Sequence, residues 1–370
     1  MADFPSSSSP SLALAHPSPA EIYKIHELSS IEWAGALTKE QYIENEHDLA
    51  SLLNITHWIL TQTGLPPDKR SIFASCETIR KRCFVTDEDV GVRGAAIQAI
   101  AGVFCEPKMR RHGYAGRMLE ELKMLLHQKK TDEGEIEEVG SILFSDIGPE
   151  YYAKFGWAPF PSTMVELPAS PGLPKIATKV VLAKDISDLC AEDQAMLLDS
   201  IGDLSASTTS MAIVPDHNTV LWHHMKEDYI CQKLFGRQPK VKGAVAGKPG
   251  DRVWAIWTRG IYGPLNEPDY RNKLYILRLV IENPEAGDIG KQAEQLKSVL
   301  QAAQHEAAEW TLGHVELWNP DKRTRELIDR MGIEYRFSER QHEGIPGLMW
   351  FDDGDSQNVK WIASEKYAWC

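Results

Sequence analysis

A basic loop that contains glycine lies between an apolar run and an amphipathic segment. The run 95–105 is rich in Ile, Val and Ala and predicts a strand, and 117–128 places its apolar side chains on one helical face. The N-terminus of a helix offers unpaired N–H groups and a partial positive charge, which together bind phosphate. A phosphate site is therefore predicted at Arg110, Arg111, His112, Gly113, Tyr114, Ala115 and Gly116.

A strand–helix turn with surface arginines would show the same bare pattern, so other motifs must be compared. The chain has neither a G-x-G-x-x-G dinucleotide loop nor a G-x-x-x-x-G-K-[ST] triphosphatase loop. The segment resembles the GNAT N-acetyltransferases, whose hallmark Q/R-x-x-G-x-G/A opens a helix, with Arg110, Gly113 and Ala115 in the fixed positions. The resemblance implies that loop 110–116 binds acetyl-coenzyme A (acetyl-CoA). It also implies that the pantetheine arm pairs with the backbone of Val103, Phe104 and Cys105.

A second GNAT-like motif, Y-x-x-x-G-[FW], runs from Tyr152 to Trp157. In that family the tyrosine commonly lies near the thioester sulfur, and the resemblance gives Tyr152 the role of protonating the leaving thiolate. A thiol of pKa ~8.5 leaves more easily when a proton donor is at hand. The structural alternative is a core tyrosine beside Tyr151.

Several longer segments resemble the fungal lysine N6-acetyltransferases of lysine catabolism. That family usually carries Asn before a terminal Glu-Lys, whereas this chain has Ser364 there. The resemblance spans nearly the whole chain after residue 20. It rests on the segments 72–78, 110–116, 145–157, 222–224, 275–278, 317–320 and 365–370.

The implied reaction is transfer of acetyl from acetyl-CoA to the ε-amine of free L-lysine. Two alternatives stay open. One is an acetyltransferase for another primary amine, such as a polyamine, an antibiotic or a protein lysine. The other is a non-catalytic protein that binds acetyl-CoA.

The amine must lose a proton before it attacks, because its free pKa is ~10.4. The strand 95–105 contains no acid, so the base must come from elsewhere. Glu77 is one candidate, although a surface pairing with Arg80 or Lys81 would explain it equally. The terminal carboxylate of Cys370 is the second candidate, since the apolar end 367–370 is expected to dock rather than fray.

Free lysine also carries an α-carboxylate, which an arginine would recognise. Arg278 lies inside an apolar run, where a charge is costly unless it is paired, and is the candidate for that contact. A structural ion pair is the alternative. His224 is a further candidate for the substrate site, unless it only packs beside Trp222.

The composition excludes several classes of partner. The 370 residues carry a net charge of −13, and no basic face for a nucleic acid is visible. No apolar run is long enough to span a membrane. The six cysteines lack zinc spacing, so no metal is expected. Without a secretory signal they are expected to be free thiols in the cytoplasm.

Two domains are predicted within a mixed α/β fold. Residues 1–20 are rich in Ser and Pro and are expected to form a disordered tail. Residues 21–170 form the GNAT domain, and a proline-rich stretch near 170 is the predicted linker. In residues 171–370 the order strand, strand, helix, strand, helix, strand recurs, which favours a second, degenerate GNAT-like domain that contributes to the substrate site. Its loop 283–288 is acidic where a phosphate loop would be basic, so no second cofactor is expected.

Overall fold

The computed structural model describes residues 4–50, 52–53, 55–87, 91–128, 136–172, 178–202, 204, 208–263, 265, 269–351 and 356–369. The helices are α1 (Pro19–Trp33), α2 (Lys39–Ala50), α3 (Tyr114–Gln128), α4 (Glu150–Ala153), α5 (Ile186–Gly202), α6 (His217–Phe235), α7 (Ile289–Glu309) and α8 (Lys322–Met331). The strands are β1 (Leu12–Ala15), β2 (Ile55–Gln62), β3 (Ile72–Asp87), β4 (Gly91–Phe104), β5 (Glu138–Ser145), β6 (Ala158–Pro159), β7 (Thr163–Pro168), β8 (Lys179–Leu182), β9 (Ser210–Ile213), β10 (Val241–Ala246), β11 (Val253–Gly260), β12 (Asp269–Ile281), β13 (Leu312–Trp318), β14 (Arg336–Glu339), β15 (Ile345–Trp350) and β16 (Lys360–Trp361).

The strands form two mixed sheets. In the first, the order is β1-β2-β3-β4-β5-β15-β6, with β9 paired to β3 and β16 paired to β9. In the second, the order is β14-β7-β13-β12-β11-β10-β8. Each sheet has one parallel pair in its middle, β4–β5 and β12–β13 respectively. This confirms the predicted α/β class with two sheets.

Helix α3 packs on the first sheet through the face that its leucine spacing predicts. Met118, Leu119 and Leu122 are fully buried against β2, β3 and β5. Helix α7 packs on the second sheet in the same way, with Leu296, Val299 and Leu300 fully buried. These helical periodicities were clear in the sequence because one apolar stripe faces one sheet.

The predicted boundary near residue 170 does not separate the two sheets. Strand β7 comes from the predicted proline-rich linker but pairs with β13 in the second sheet. Conversely, β15 comes from the C-terminal part of the chain and lies between β5 and β6 of the first sheet. The predicted boundary fails because β15 is buried on both faces. Its burial depends on strands that lie far away along the chain.

The expected disordered tail is also wrong for residues 4–20. Leu12 is only 2% exposed, and β1 pairs with β2 in antiparallel register from Leu12 to Ala15. Ser18 then caps α1, with Glu21 completing the capping box. The Ser/Pro composition concealed two leucines whose burial against the sheet offsets the ordering entropy.

The predicted helix 38–57 is correct at its start and wrong at its end. Thr38 and Gln41 exchange the two hydrogen bonds of a capping box, at 3.0 and 3.3 Å. The helix ends at Ala50, and Ile55 already pairs with β3. As a result, His57 lies on a strand, directly opposite Glu77.

Candidate active site

The parallel strands β4 and β5 part at their carboxyl ends. Their last paired residues are Ile100 and Leu143, although β4 continues to Phe104 and β5 to Ser145. On its other side, β4 stays paired with β3, with Phe104 opposite Ser75. The wedge between β4 and β5 therefore leaves the backbone edge of residues 101–104 open to a ligand that can pair with a strand.

A bulge in β4 lies at the mouth of this wedge. Gly102 has φ +57°, and the β3–β4 register shifts between Ser75 and Glu77. A Cβ at position 102 would lie 3.5 Å from the carboxyl carbon of Glu77. The bulge thus brings the Glu77 carboxylate against the edge of the wedge.

The predicted phosphate loop, residues 110–116, comes after β4 in the chain. Arg111 and Gly113 both have positive φ, +66° and +82°. The first hydrogen bond of α3 runs from the N–H of Arg117 to the carbonyl of Gly113. The N–H groups of Tyr114, Ala115 and Gly116 therefore stand at the helix N-terminus, where an anion is favoured.

The two arginines of the loop differ in their surroundings. Arg110 donates to the Cys105 carbonyl at 2.9 Å and to Glu32 at 2.6 Å, so it braces the loop against the end of β4 and α1. Arg111 and His112 are exposed. Of the two arginines, Arg110 is therefore engaged within the protein, whereas the Arg111 side chain is exposed.

The chain's N-terminal segment crosses this loop. The Tyr114 hydroxyl donates to the Pro5 carbonyl at 2.6 Å, and Arg117 donates to the Ser7 carbonyl at 3.2 Å. The Phe4 ring meets His112 edge-on, with centroids 6.1 Å apart. Residues 4–7 therefore form a wall of the phosphate site, which the composition of the segment did not reveal.

Tyr152 lies on the short helix α4, next to β5. It packs with Tyr114 and other members of the core around α3, and Tyr151 meets it edge-on at 5.1 Å. Burial, with smaller contributions from Tyr151 and Asp146, raises the pKa of the Tyr152 phenol well above 10. The hydroxyl therefore keeps its proton at neutral pH and can donate it.

Two histidines face Glu77. The Glu77 Oε1 atom lies 3.3 Å from His57 Nε2 and 3.7 Å from His26 Nε2. Burial alone would raise the pKa of the Glu77 carboxyl, but the two imidazoles lower it to about 2. Nearby on α2, burial raises the pKa of Glu46, which also responds to the charges of Lys226 and of Glu77.

Sequence reasoning found Glu77 but missed His26, His57 and Glu46. These side chains come from α1, β2 and α2, so no local spacing connects them. The one available signal was that His57 and Glu77 could be neighbours on adjacent strands. The helix predicted for 38–57 is too long and includes His57, so the sequence does not place His57 on a strand.

A cavity lies beside α6 and the second sheet. It is lined by side chains from α6, β11, β12 and the C-terminal segment, including Trp222, Lys226, Tyr262, Lys366 and Trp369. The Lys226 ammonium lies 5.2 Å from the Trp222 ring centroid and 5.8 Å from that of Trp369. Helix α6, which carries Lys226, packs against α2, which carries Glu46.

The structure removes Arg278 from the predicted substrate site. Its guanidinium donates twice to Asp193, at 2.8 Å each, and once to Glu365. Glu365 also accepts from the N–H of Leu279. The buried cation is thus already matched by two carboxylates, and it anchors the C-terminal segment rather than a ligand.

His224 is likewise engaged elsewhere. Its Nε2 donates to the Trp257 carbonyl at 3.1 Å, and burial lowers the pKa of its imidazole to about 4. It therefore packs as a neutral residue between α6 and β11. Cys370 lies outside the described residues, whereas Lys366, Tyr367 and Ala368 before it are buried, so the predicted docking of this segment holds up to there.

Among the described residues, the start of α7 differs from that of α3. The N–H of Lys291 at the start of α7 is taken by the Asp288 carboxylate at 2.7 Å. A negative side chain therefore already occupies this helix N-terminus.

Comparison with known families decides the class of the protein. The family model described as the LYC1 GNAT-like C-terminal domain matches residues 164–370, more than half of the chain. The chain belongs to this family. Membership supports an acetyl- or acyltransferase as the general class, with acetyl-CoA as the co-substrate of GNAT enzymes.

Similar proteins span most of the chain. A lysine acetyltransferase from Yarrowia lipolytica is 22% identical over 407 residues, which cover 95% of this chain and 98% of that protein. A probable N-acyltransferase from Enterococcus faecalis V583 superposes with a TM-score of 0.51 at 11% identity, covering 91% of this chain and 71% of that one. A GCN5-related N-acetyltransferase from Kribbella flavida gives 0.50 at 14% identity, covering 92% and 72%. These likenesses confirm the predicted GNAT fold. Among the described helices, none has the length and apolar character needed to cross a bilayer.

Proposed function

We propose that the protein transfers the acetyl group of acetyl-CoA to the ε-amine of free L-lysine. The observation that carries this proposal is the wedge between β4 and β5, which has the phosphate loop at one end and the Glu77 carboxylate at its mouth. A thioester lying in this wedge has a proton donor and an acidic group for an amine within the same site. The lysine acetyltransferase of Yarrowia lipolytica supports the choice of amine.

Acetyl-CoA is held in two places. Its pyrophosphate lies against the N–H groups at the start of α3, beside Arg111, and the free edge of Val103, Phe104 and Cys105 pairs with the amides of the pantetheine arm. The Tyr152 hydroxyl, which keeps its proton at neutral pH, acts as the proton donor to the departing thiolate. One coenzyme per chain is expected, because Asp288 fills the equivalent place on α7.

The substrate amine lies beside Glu77. The carboxylate attracts the ammonium, and an imidazole facing it can take up the proton that the amine must lose before it attacks the acetyl carbon. The separation of 3.3 Å between His57 Nε2 and Glu77 Oε1 supports His57 in this role. The terminal carboxylate of Cys370 remains an alternative acceptor.

The other end of the substrate lies in the cavity beside α6. Lys226 lines that cavity and is a positive group suited to an α-carboxylate. Since Arg278 is fully paired, Lys226 replaces it in our assignment. In this arrangement the ε-ammonium of a free amino acid lies beside the Glu77 carboxylate, and its α-carboxylate lies beside the Lys226 ammonium.

A panel of amines with acetyl-CoA, followed as release of free thiol, tests the proposal. L-lysine should be the best substrate, ahead of spermidine and of a lysine-containing peptide. Glu77→Gln should reduce kcat with L-lysine by ~10²-fold, while the affinity for acetyl-CoA stays the same. Preference for spermidine or for the peptide would favour another primary-amine acetyltransferase. Binding of acetyl-CoA without release of thiol for any amine would leave a non-catalytic binding protein.

A further inference from the structure

Two groups of histidine and carboxylate side chains bring three possible metal ligands together within the described part of the chain. One is His26, His57 and Glu77, and the other is Glu166, His314 and Glu316. In each, the three ligand atoms lie within 4.8 Å of one another. They differ in how far their polar atoms are already satisfied.

The first group has donor and acceptor atoms left over. His26 is 5% exposed, and neither its Nε2 nor that of His57 has a hydrogen-bond partner among the described residues. Both nitrogens point at the same oxygen, Glu77 Oε1, from 3.7 and 3.3 Å. These separations exceed the 2.7–3.2 Å usual for an N–H···O bond. Buried polar atoms without partners indicate that something is missing between them.

The carboxylates of the second group are saturated by protein atoms, although His314 Nδ1 has no hydrogen-bond partner among the described residues. Glu316 accepts hydrogen bonds from Lys273 at 2.9 Å and from the Trp318 indole at 3.1 Å. The Nε2 atom of His314 lies 2.9 Å from Glu316 Oε1. Glu166 accepts from Arg336 and from the Tyr270 hydroxyl. The lysine and the arginine supply the positive charge, so a metal ion has no place there.

We propose that His26, His57 and Glu77 form a binding site for one divalent transition-metal ion, represented here by Zn²⁺. Zinc bonds of ~2.0–2.2 Å in a tetrahedral arrangement place ligand atoms about 3.3 Å apart, close to the separations found here. Two imidazoles and one carboxylate are a common zinc ligand set that leaves the fourth position open. A bound ion would pair both orphaned imidazole nitrogens and the Glu77 oxygen that they face.

The ion and the substrate amine compete for the same carboxylate. This consequence rests on the proposed function, whereas the metal site itself does not. The metal therefore inhibits acetyl transfer by occupying the amine position, and chelation restores it.

The experiment begins with binding and needs no turnover. The full-length protein, freed of metal with a chelator, is titrated with Zn²⁺ against a chromophoric zinc indicator. One ion per chain should bind, and His57→Ala and His26→Ala should each weaken its affinity by ~10-fold or more. His314→Ala in the saturated group is the matched control and should leave the affinity unchanged. Circular dichroism verifies that each variant is folded, and His57→Gln serves if His57→Ala is not.

X-ray absorption at the zinc edge identifies the ligands. Imidazole and oxygen scattering without sulfur is expected. Sulfur in the ligand shell would assign the ion to one of the free thiols and overturn the proposal. Equal zinc affinity in the wild type, His57→Ala and His26→Ala would overturn it as well.

Steady-state kinetics then test the consequence. Zn²⁺ should raise the apparent KM for the amine without raising that for acetyl-CoA. Inhibition competitive with acetyl-CoA would contradict the assigned location. Absence of turnover with every amine would refute the proposed function, while the binding result would still decide the metal site.

Discussion

The Ser7 hydroxyl lies against Gly113, the last residue before α3. A Cβ at position 113 would come within 2.8 Å of Ser7 Oγ, and Gly113 has φ +82°. This contact joins the N-terminal segment to the loop whose N–H groups face the phosphate site. The two requirements, a positive φ and a close approach, both favour glycine at this position.

Gly113→Ala should therefore weaken acetyl-CoA binding by ~10-fold, since relief of strain and of the Ser7 contact must move the loop. Calorimetry of the variant measures this. Gly64→Ala is the control, because Gly64 has φ +80° but nothing within 4 Å of its Cβ position. An unchanged affinity in Gly113→Ala, or an equal loss in Gly64→Ala, would contradict the prediction.

Tyr152→Phe should lower kcat by ~10²-fold and leave the affinity for acetyl-CoA nearly unchanged, because only the proton donor is removed. Single-turnover measurement of thiol release separates this chemical step from product release. Tyr151→Phe is the matched control, since its ring packs edge-on beside Tyr152. Equal effects of the two substitutions would indicate a packing role for both.

The sequence predicted the parts of the site whose residues are neighbours in the chain. Loop 110–116 and helix α3 form one continuous segment, and the hydrophobic period of α3 locates its start within a few residues. The motif around Tyr152 is also local. Such features depend on residues that are close together in the chain, so the spacing of residue types in the sequence is enough to predict them.

The rest of the site depends on contacts between distant segments. His26, His57 and Glu77 meet because α1, β2 and β3 pack together, and nothing in their spacing shows this. Arg278 was misassigned because its partners, Asp193 and Glu365, lie far from it along the chain. The insertion of β15 between β5 and β6 is of the same kind.

Lys226→Met tests the assigned position of the substrate carboxylate. A charged hydrogen bond contributes roughly 1.5–3 kcal/mol, so KM for L-lysine should rise by at least ~10-fold. KM for cadaverine, which has no carboxylate, should not rise. Lys233→Met is the control, because Lys233 on the same helix pairs with Glu44 at 3.0 Å. A parallel rise for both amines would place the carboxylate elsewhere.

Acid should weaken the ion pair between Glu21 and Arg70, which anchors the start of α1. Hydrogen bonds from Arg70, foremost among the causes, lower the pKa of Glu21 from 4.5 to about 2. A carboxyl whose pKa is lower in the folded state stabilises the fold above pH 4.5, and this contribution is lost as pH falls from 4.5 towards 2. Urea unfolding should therefore show a shallower loss of stability over this range for Glu21→Gln than for the wild type.

Glu27→Gln is the control for that comparison, since Glu27 pairs with Lys24 and Lys39 at the surface and such pairs contribute little. The same pH slope for Glu21→Gln and the wild type would contradict the assignment. The anchor concerns the active site as well, because α1 carries His26.

The carboxylate at the end of the C-terminal segment is the second candidate for the proton acceptor. Arg278 and the N–H of Leu279 hold Glu365, and the Lys366 ammonium lies 3.5 Å from the Trp369 ring centroid. Trp369 lines the cavity beside α6 and stacks on His223. The described part of the segment therefore reaches the cavity beside α6 with Trp369, and Cys370 lies outside the described residues.

Appending two glycines to Cys370 moves the terminal carboxylate by ~3.5 Å per residue and keeps the packing of Trp369. If the cluster at Glu77 and His57 accepts the proton, the extended chain should keep kcat within ~3-fold of the wild type, whereas Glu77→Gln loses ~10²-fold. The reverse pattern, with the extension inactive and Glu77→Gln active, would assign the role to Cys370. Cofactor affinity, measured by calorimetry, should be unchanged in both variants, because the phosphate loop and the free edge of β4 lie on other elements.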